Sequence, residues 1–222
     1  MLNQILRGGG LIYDEHDNLT LSSNSLKVSP KNPFNDPNLY SIYKQESVLE
    51  WITYTCKKNV EEDFTISSWV YLTGAYEKSP FFMTNIHSSN DFYWTLDEDR
   101  FYKTRILFNL TELLLDHVPL NKWVYITCVR SNNQITVYYN GRKQGSKLLK
   151  YNSNLVLNKG GYLFSENYDG DSKCGIFGYI FDFFISDKAE WTGNFISPNR
   201  PFEYGNHVYL DNDKNIWGCS KL

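Results

Sequence analysis

The sequence predicts an all-β fold in which two sheets pack face to face as a sandwich. The chain holds 17 Tyr and 14 Phe but only two Met, and flat or β-branched side chains pack well on the pleated surface of a strand. Apolar runs recur about every ten residues between Gly, Asn, Asp and Pro, which is the spacing expected of short strands in a sandwich. The predicted strands lie at 48–54, 64–72, 81–86, 92–96, 105–110, 123–130, 134–140, 162–164 and 178–185.

Composition and charge place the chain among folded proteins. Hydrophobic residues make up 41% and charged residues 21% of the 222 residues, which is enough apolar mass to bury a core. No linker, shift in composition or internal repeat divides the sequence, so a single domain over 1–222 is predicted. The formal net charge of -3 provides no basic field for a phosphate backbone, and the chain is therefore not expected to bind nucleic acid.

The segments outside the main runs have their own signals. Residues 1–30 are predicted to form two short strands that close one edge of a sheet. Residues 31–38 contain two prolines and three asparagines and are predicted to be a loop, because proline cannot donate to a strand ladder. Residues 110–118 have a helical apolar period, which predicts either a helical turn or a long loop. The chain from residue 191 onward is expected to return toward the N-terminal strands.

The dipeptide Asn140-Gly141 predicts a tight hairpin. Both residues tolerate a positive φ, as a type I′ turn requires, so the chain is expected to reverse there into a further strand. In the preceding strands, alternation puts Ile126 and Cys128 on the face opposite Tyr125. We expect Ile126 and Cys128 to face the core, which makes Cys128 a buried thiol.

Four cysteines lie far apart along the chain, at Cys56, Cys128, Cys174 and Cys219. Their spacing matches no zinc or redox motif. An even number permits two disulfides in a secreted protein, but the N-terminus lacks the apolar run of a signal peptide, which favours free, partly buried thiols.

The sequence also bears on location. No stretch of about 20 apolar residues is present to span a bilayer, so no membrane span is expected. Without a signal peptide, the chain is expected either to stay where it is made or to leave by another route, and assembly into a virus or phage particle is one such route.

Three segments, in order along the chain, resemble the laminin-G-like branch of the concanavalin A-like lectin/glucanase superfamily. They are 63–71, with its phenylalanine, β-branched pair and tryptophan; 120–130 followed by 135–142, a tryptophan-led hairpin that ends in Asn-Gly; and 174–189, a late strand led by glycine. The resemblance covers roughly residues 45–200 and implies a two-sheet antiparallel jelly-roll sandwich. Residues 73–120 are richer in aromatic and charged residues than a minimal member needs, and the chain after 197 matches no part of the family.

Catalysis is not expected. Glycoside hydrolases of this fold carry Glu-x-Asp-x-Glu or a near relative on one strand, which supplies the acid and the nucleophile, and no such string occurs in the sequence. The acidic clusters 61–63 and 97–99 are predicted to be solvated turns. None of the four histidines accompanies a nucleophile-elbow sequence.

Aromatic side chains are the candidates for ligand contact. An aromatic face stacks on the apolar face of a sugar ring while nearby polar groups hydrogen-bond its hydroxyls. Tyr93, Trp94 and Tyr168 are predicted to serve in this way. An alternative for Tyr93 and Trp94 is that they belong to a strand whose alternation buries one of them.

Calcium is a further expectation, because many proteins of the family hold one ion at the rim of the sandwich. In the loop 167–171, Asp169 and Asp171 flank a glycine and are the predicted oxygen ligands, although an ordinary turn is the alternative. The loop 211–215 resembles the start of a helix-loop-helix calcium site, but it lacks the later glycine and glutamate and is predicted to be a turn.

The sequence therefore predicts a non-catalytic, lectin-like module that binds a glycan or a protein surface. Two alternatives remain open: a decoration or interaction protein that packs against neighbours in a large assembly, and a polysaccharide hydrolase or lyase. The fold alone does not separate them, and homo-oligomerisation also stays open.

Overall fold

The computed structural model describes residues 10–13, 19–23, 27–37, 39, 41–44, 52–56, 60–75, 79–84, 92–97, 103–152, 154–157, 161–163, 175–200, 209–210 and 216–217. Within these ranges the chain forms strands, turns and loops but no helix.

The strands are, in chain order, β1 (Gly10–Tyr13), β2 (Leu19–Ser23), β3 (Lys27–Ser29), β4 (Ser41–Lys44), β5 (Ile52–Cys56), β6 (Phe64–Ala75), β7 (Ser79–Thr84), β8 (Phe92–Asp97), β9 (Lys103–Phe108), β10 (Thr111–Leu115), β11 (Trp123–Ser131), β12 (Gln134–Tyr139), β13 (Arg142–Leu148), β14 (Gly161–Leu163), β15 (Ile176–Ser186), β16 (Tyr209–Leu210) and β17 (Ile216–Trp217).

Two large sheets account for nearly all of these strands. The first has eight strands in the order β1-β2-β5-β14-β7-β8-β9-β10, and the second has seven in the order β13-β12-β11-β6-β15-β4-β3. Their strand pairs are antiparallel. The predicted all-β, two-sheet antiparallel sandwich is thus confirmed, and each of the nine predicted runs overlaps a strand. That residues 1–222 form a single domain stays a prediction.

The core lies between the two large sheets. Phe64 of β6 and Phe92 and Phe108 of the eight-stranded sheet are each 0% exposed. The Phe64 ring meets Phe92 edge to face at 5.9 Å and Phe108 at 5.8 Å, measured between ring centroids. Because this geometry matches the positive edge of one ring with the negative face of the next, these contacts join the sheets.

Residues 110–118 correct the prediction made for them. They contain strand β10, which pairs with β9 through a two-residue turn formed by Asn109 and Leu110 at φ 48° and 59°. Along β10, buried Leu113 and Leu115 alternate with Leu114, which is 44% exposed. The leucine run hides this two-residue period in the sequence, and pairing with β9 selects a strand over a helix.

The Asn140-Gly141 hairpin is confirmed. The two residues have φ 48° and 73°, the signature of a type I′ turn, and the flanking residues Tyr139 and Arg142 pair directly. The chain reverses into β13, as predicted.

The chain ends agree with the prediction in part. β1 and β2 form an antiparallel pair at the edge of the eight-stranded sheet, while the additional strand β3 joins the other sheet. Near the C-terminus, β16 and β17 pair with each other, and β17 lies near β1. No helix in the described ranges is long and apolar enough to cross a membrane.

The seven-stranded sheet is partly covered on its outer face as well as buried on its core face. Tyr125 of β11 points away from the core, yet it is 0% exposed. Part of the cover comes from Phe34, whose ring packs edge to face on Trp69 at 5.9 Å and on Phe181 at 5.6 Å. The rest comes from the segment around Trp191.

Asn32 fixes the loop that carries Phe34. Its side-chain nitrogen donates to the carbonyl oxygens of Asp36 and Leu39 at 2.7 and 3.0 Å, and its Oδ1 accepts the Phe34 backbone N–H at 3.0 Å. A buried amide that pairs with backbone groups in this way organises an irregular segment. The described part of the predicted loop 31–38 is therefore a loop, as expected.

Cys128 is a free thiol with 0% exposure, as the alternation predicted. Ile126, two residues away on the same face, is also buried. Burial raises the pKa of the Cys128 thiol well above its ordinary value, because the thiolate would have to be desolvated. The side chains of Cys56, Cys174 and Cys219 lie outside the described part of the chain.

Alkaline pH is expected to destabilise the fold, with Cys128 responsible for the first part of the loss. The folded state keeps the thiol proton above about pH 8.5, where the unfolded chain has lost it. The contribution of Cys128 to stability is therefore complete below about pH 8.5 and falls as the pH rises toward the folded-state pKa, by about 1.4 kcal/mol per pH unit. Urea unfolding between about pH 7.5 and about pH 10 measures this slope.

The matched variant is Cys128→Ala. Its free energy of unfolding should fall less steeply with pH over the same range, by the contribution of one proton, about 1.4 kcal/mol per pH unit. An unchanged slope would contradict the assignment. Above about pH 10, Tyr125 and Tyr139 should add to the loss in both proteins, because burial raises the pKa of each phenol.

Candidate functional site

A groove of about 300 Å³ lies on the outer face of the seven-stranded sheet, beside β11 and β12. Its lining combines hydroxyl, amide, aromatic and aliphatic side chains. The residues are Val129, Ser131, Asn132, Gln134, Thr136, Tyr138, Leu148, Trp191 and Thr192.

The floor of the groove follows from strand alternation. In the β11–β12 pair, Val129 lies opposite Thr136 and Ser131 lies opposite Gln134. Side chains two residues apart share a face, so these four residues point away from the core together. The turn at 132–133, with φ 48° and 60°, closes the hairpin and fixes this register.

Trp191 forms the wall of the groove. Its ring stacks on Phe195 with centroids 4.2 Å apart and planes 13° apart, and it meets Tyr125 edge to face at 6.3 Å. Two buried or half-buried rings therefore hold the indole in place, and only a modest loss of side-chain entropy is expected when a ligand binds beside it.

Hydrogen bonds fasten this wall to the sheet on the β6 side. The Thr65 hydroxyl donates to the Lys188 carbonyl oxygen at 2.8 Å and accepts the Glu190 backbone N–H at 3.0 Å. Ser186 Oγ donates to a Glu190 carboxylate oxygen at 2.6 Å. The segment thus leaves β15 in a defined direction, directly before Trp191.

On its other side the wall is fastened to the Asn140-Gly141 hairpin. The Phe195 N–H donates to the Gly141 carbonyl oxygen at 2.9 Å, and Asn194 Oδ1 accepts the Lys143 N–H at 2.9 Å. The hairpin predicted from the sequence therefore also supports the groove.

The described lining of the groove is uncharged. Gln134, Asn132 and Thr136 supply amide and hydroxyl groups, and no Asp, Glu, Lys, Arg or His is among the lining residues. Burial raises the pKa of Tyr138, which keeps its phenol neutral at physiological pH. The groove can therefore stack, donate and accept hydrogen bonds, but it offers no ion pair.

A buried polar pair lies under the wall. The Tyr125 hydroxyl donates to Ser67 Oγ at 2.8 Å. Burial raises the pKa of Tyr125 well above its ordinary value, and the nearby carboxylates of Asp182 and Glu190 raise it further. Tyr125 is thus a neutral, hydrogen-bonded support for the Trp191 ring.

The structure does not bring Tyr93 or Trp94 to this groove. Trp94 is 1% exposed and packs against Phe81 at 5.9 Å inside the core, so its prediction as a ligand-stacking residue is corrected. Alternation on β8 turns Tyr93 the other way, and it is half-buried on the outer face of the eight-stranded sheet. That face is the opposite side of the sandwich from the groove.

The remaining predicted site residues lie outside the described part of the chain. These are Tyr168 and the proposed calcium ligands Asp169 and Asp171. Within the described ranges, no group of three or more His, Cys, Asp and Glu residues could hold a metal ion. Both assignments stay predictions.

Trp191, Gln134, Thr136 and Tyr138 were not identified from the sequence as site residues. Alternation in β12 predicts that Thr136 and Tyr138 share the outer face, and Trp191 stands in a turn-rich segment with Thr-Gly-Asn after it. An aromatic residue in such a segment is the signal that selected Tyr168. The return of the segment onto β11 and β12 depends on long-range packing, which no local pattern encodes.

Comparison with protein families gives a match over most of the chain. A family model described as "Concanavalin A-like lectin/glucanases superfamily" matches residues 50–190 of the sequence. No protein with a curated description is similar enough to match.

Solved structures share the fold at low sequence identity. Domain 4 of AbnA, an extracellular arabinanase from Geobacillus stearothermophilus solved with arabinotriose, is 12% identical, has a TM-score of 0.54, and the match covers 78% of each chain. A structure of botulinum neurotoxin type C, which interacts with two ganglioside molecules, is 14% identical with a TM-score of 0.54 and coverage of 81% of this chain and 47% of that one. The binding domain of Paraclostridial Mosquitocidal Protein 1 is 14% identical with a TM-score of 0.56, covering 81% and 49%. The chain thus spans about half the length of the two toxin chains.

Proposed function

Because the chain belongs to the concanavalin A-like lectin/glucanase superfamily, we propose that it is a non-catalytic recognition module that binds a neutral glycan in the groove beside Trp191. The observation that carries this proposal is the lining of the groove: the half-buried indole of Trp191 lies beside several amide and hydroxyl groups, without a charged side chain among the described residues.

The chemistry of a sugar matches this lining. A pyranose or furanose ring has an apolar face of C–H groups, which stacks on an indole, and a rim of hydroxyls, which both donate and accept hydrogen bonds. Gln134 and Asn132 do both through their amides, and Thr136 does so through its hydroxyl. A charged ligand would lose its hydration in this groove without gaining an ion pair, so a neutral glycan is favoured.

Recognition is favoured over catalysis by the absence of acids. Hydrolysis of a glycosidic bond needs two carboxylates on either side of the bond, about 5 to 10 Å apart, and the described lining contains none. Two fold relatives add support for glycan binding. One is domain 4 of an arabinanase, which was solved in complex with arabinotriose, and the other is a neurotoxin that interacts with two ganglioside molecules.

The test is binding of the purified protein to a glycan array, followed by affinities of variants for the best glycan. Trp191→Ala should weaken binding by at least about tenfold, and Gln134→Ala by about threefold to tenfold because it removes one or two hydrogen bonds. Gln144→Ala is the matched control: Gln144 is exposed on β13, outside the groove, and its amide bonds within its own strand. Equal losses for Gln134→Ala and Gln144→Ala, or no glycan bound at all, would reject the proposal.

Calcium is tested in the same assay. The array is probed once with calcium and once with chelator, and binding that depends on the ion would support Asp169 and Asp171 as its ligands. The variant Asp169→Asn should then need more calcium for the same signal. Glycan binding that does not change with chelator would leave the groove proposal intact and would count against a calcium ion at Asp169 and Asp171.

An assembly role is the second candidate, and exposed apolar side chains favour it. Leu110 and Tyr151 are each 58% exposed, and Asn109 Nδ2 bonds the Tyr151 carbonyl oxygen at 2.9 Å, which places them at one end of the sandwich. Apolar groups grouped in this way are common in protein interfaces. A decoration protein, including one of a virus or phage particle, would bind no glycan on the array and would associate through this end.

A further inference from the structure

Four aromatic side chains form a row across the outer face of the seven-stranded sheet. Tyr179 of β15 pairs directly with Tyr43 of β4 on one side and with Tyr71 of β6 on the other, and Tyr71 pairs with Trp123 of β11. All four side chains are half-buried. They occupy the face that points away from the core, so filling the space between the sheets does not require them.

Two of the three neighbouring ring pairs in this row stand at steep angles, and the third is stacked. Tyr71 meets Tyr179 at 85° and Trp123 at 68°, with centroids 5.7 Å apart in both cases. Tyr43 stacks on Tyr179 at 4.7 Å and 27°. Rings that share one flat plane would suit a sugar, whereas rings that face each other at steep angles enclose a small volume lined by π-electron density.

The side chain of Lys31 occupies this volume. Its Nζ lies 3.1 Å from the centroid of the Tyr71 ring and 4.7 Å from that of Tyr179. Both distances are within the range of a cation–π contact, which extends to about 6 Å. The rings of Tyr71 and Tyr179 therefore already accommodate an alkylammonium group.

The attraction at this site is that of neutral rings for a cation. The pKa of Tyr179 is raised by burial and by the neighbouring Tyr43 and Tyr71, so the phenol stays protonated at physiological pH. The backbone of Lys31 is held beside the rings, because its carbonyl oxygen accepts the Ser41 hydroxyl and its N–H donates to Ser29 Oγ. Lys31 thus acts as a tethered occupant.

We propose that Tyr71, Tyr179, Trp123 and Tyr43 form an aromatic cage for an alkylammonium group of a ligand, and that Lys31 fills the cage until such a group displaces it. The class of ligand is a small molecule that carries a quaternary or protonated amine. The cage shares no residue with the groove beside Trp191 and does not depend on the proposed glycan binding.

The experiment titrates the full chain with choline and, separately, with 3,3-dimethyl-1-butanol, which has the same shape without the charge. Binding is followed by the NMR shifts of the tyrosine ring protons at low ionic strength. Choline should bind Lys31→Ala about tenfold more tightly than the original protein, because the tethered competitor is gone. It should also bind at least about tenfold more tightly than the neutral alcohol. Glucosamine is a third ligand, which distinguishes an amino sugar from a quaternary ammonium head group.

Two further variants keep the result decisive. Lys31→Gln removes the charge while retaining most of the side chain and should behave as Lys31→Ala does. Adding Tyr71→Leu to Lys31→Ala should abolish choline binding, whereas adding Tyr162→Leu should not, since Tyr162 is half-buried on β14 of the other sheet. Equal affinity for the alcohol and choline, equal affinity of the original and Lys31 variants, or no binding by either folded Lys31 variant would overturn the proposal.

Discussion

Replacing Phe64 by alanine is expected to lower the free energy of unfolding by about 3 to 5 kcal/mol. Phe64 is 0% exposed and meets Phe92 and Phe108 of the opposite sheet edge to face. The substitution removes apolar surface from the core and leaves a cavity at the place where the two sheets are joined, and the two remaining rings, which pack on each other at 5.5 Å, are poorly able to collapse into it. Urea unfolding at neutral pH measures the change.

The control for this change is Tyr151→Ala. It also removes an aromatic ring, but Tyr151 is 58% exposed, so the expected loss is within about 0.5 kcal/mol. A loss below about 1 kcal/mol for Phe64→Ala would mean that Phe64 does not join the sheets. A folded domain has about 5 to 15 kcal/mol of stability in all, so the expected loss would leave the variant partly unfolded at elevated temperature.

The prediction of the sheets from the sequence worked where the pattern is local. Alternation placed Ile126 and Cys128 toward the core, and Asn140-Gly141 carried its turn type in its own chemistry. The prediction of secondary structure failed at residues 110–118, because three consecutive leucines conceal which of them is exposed. Only the register with β9 decides that Leu114 points outward.

The candidate site could be predicted less well for the same reason. Alternation identifies the outer face of β11 and β12, but it does not say what covers that face. The covering segments, around Phe34 and Trp191, come from distant parts of the chain and are held there by Asn32, Thr65 and the backbone of Gly141. A buried tryptophan such as Trp94 and a groove-lining one such as Trp191 look alike in a sequence, since both stand next to polar residues.

Gly141→Ala tests the connection between the hairpin and the groove. Gly141 has φ 73°, and a Cβ atom added there would lie 1.9 Å from the Phe195 carbonyl oxygen. Two non-bonded atoms cannot approach so closely. Because the carbonyl oxygen belongs to the backbone, it cannot rotate away as a side chain could, and the segment that carries Phe195 must move. Because Phe195 stacks on Trp191 at 4.2 Å, the indole loses its support and the wall of the groove is displaced.

The expected result has two parts, which are measured separately. Unfolding in urea should show a loss of at least about 1 to 2 kcal/mol, since alanine is also strained at a positive φ. The near-ultraviolet circular dichroism of the stacked indole should weaken while the far-ultraviolet β-sheet signal is retained, and affinity for an array-selected glycan should fall by at least about tenfold. The matched control is Gly193→Ala in the same segment, where an added Cβ meets nothing within 4 Å. If Gly141→Ala keeps the indole signal of the original protein, the wall does not depend on the hairpin. If the signal is lost while glycan affinity is unchanged, the wall depends on the hairpin but the ligand does not use it, which would direct the search to another face of the sandwich.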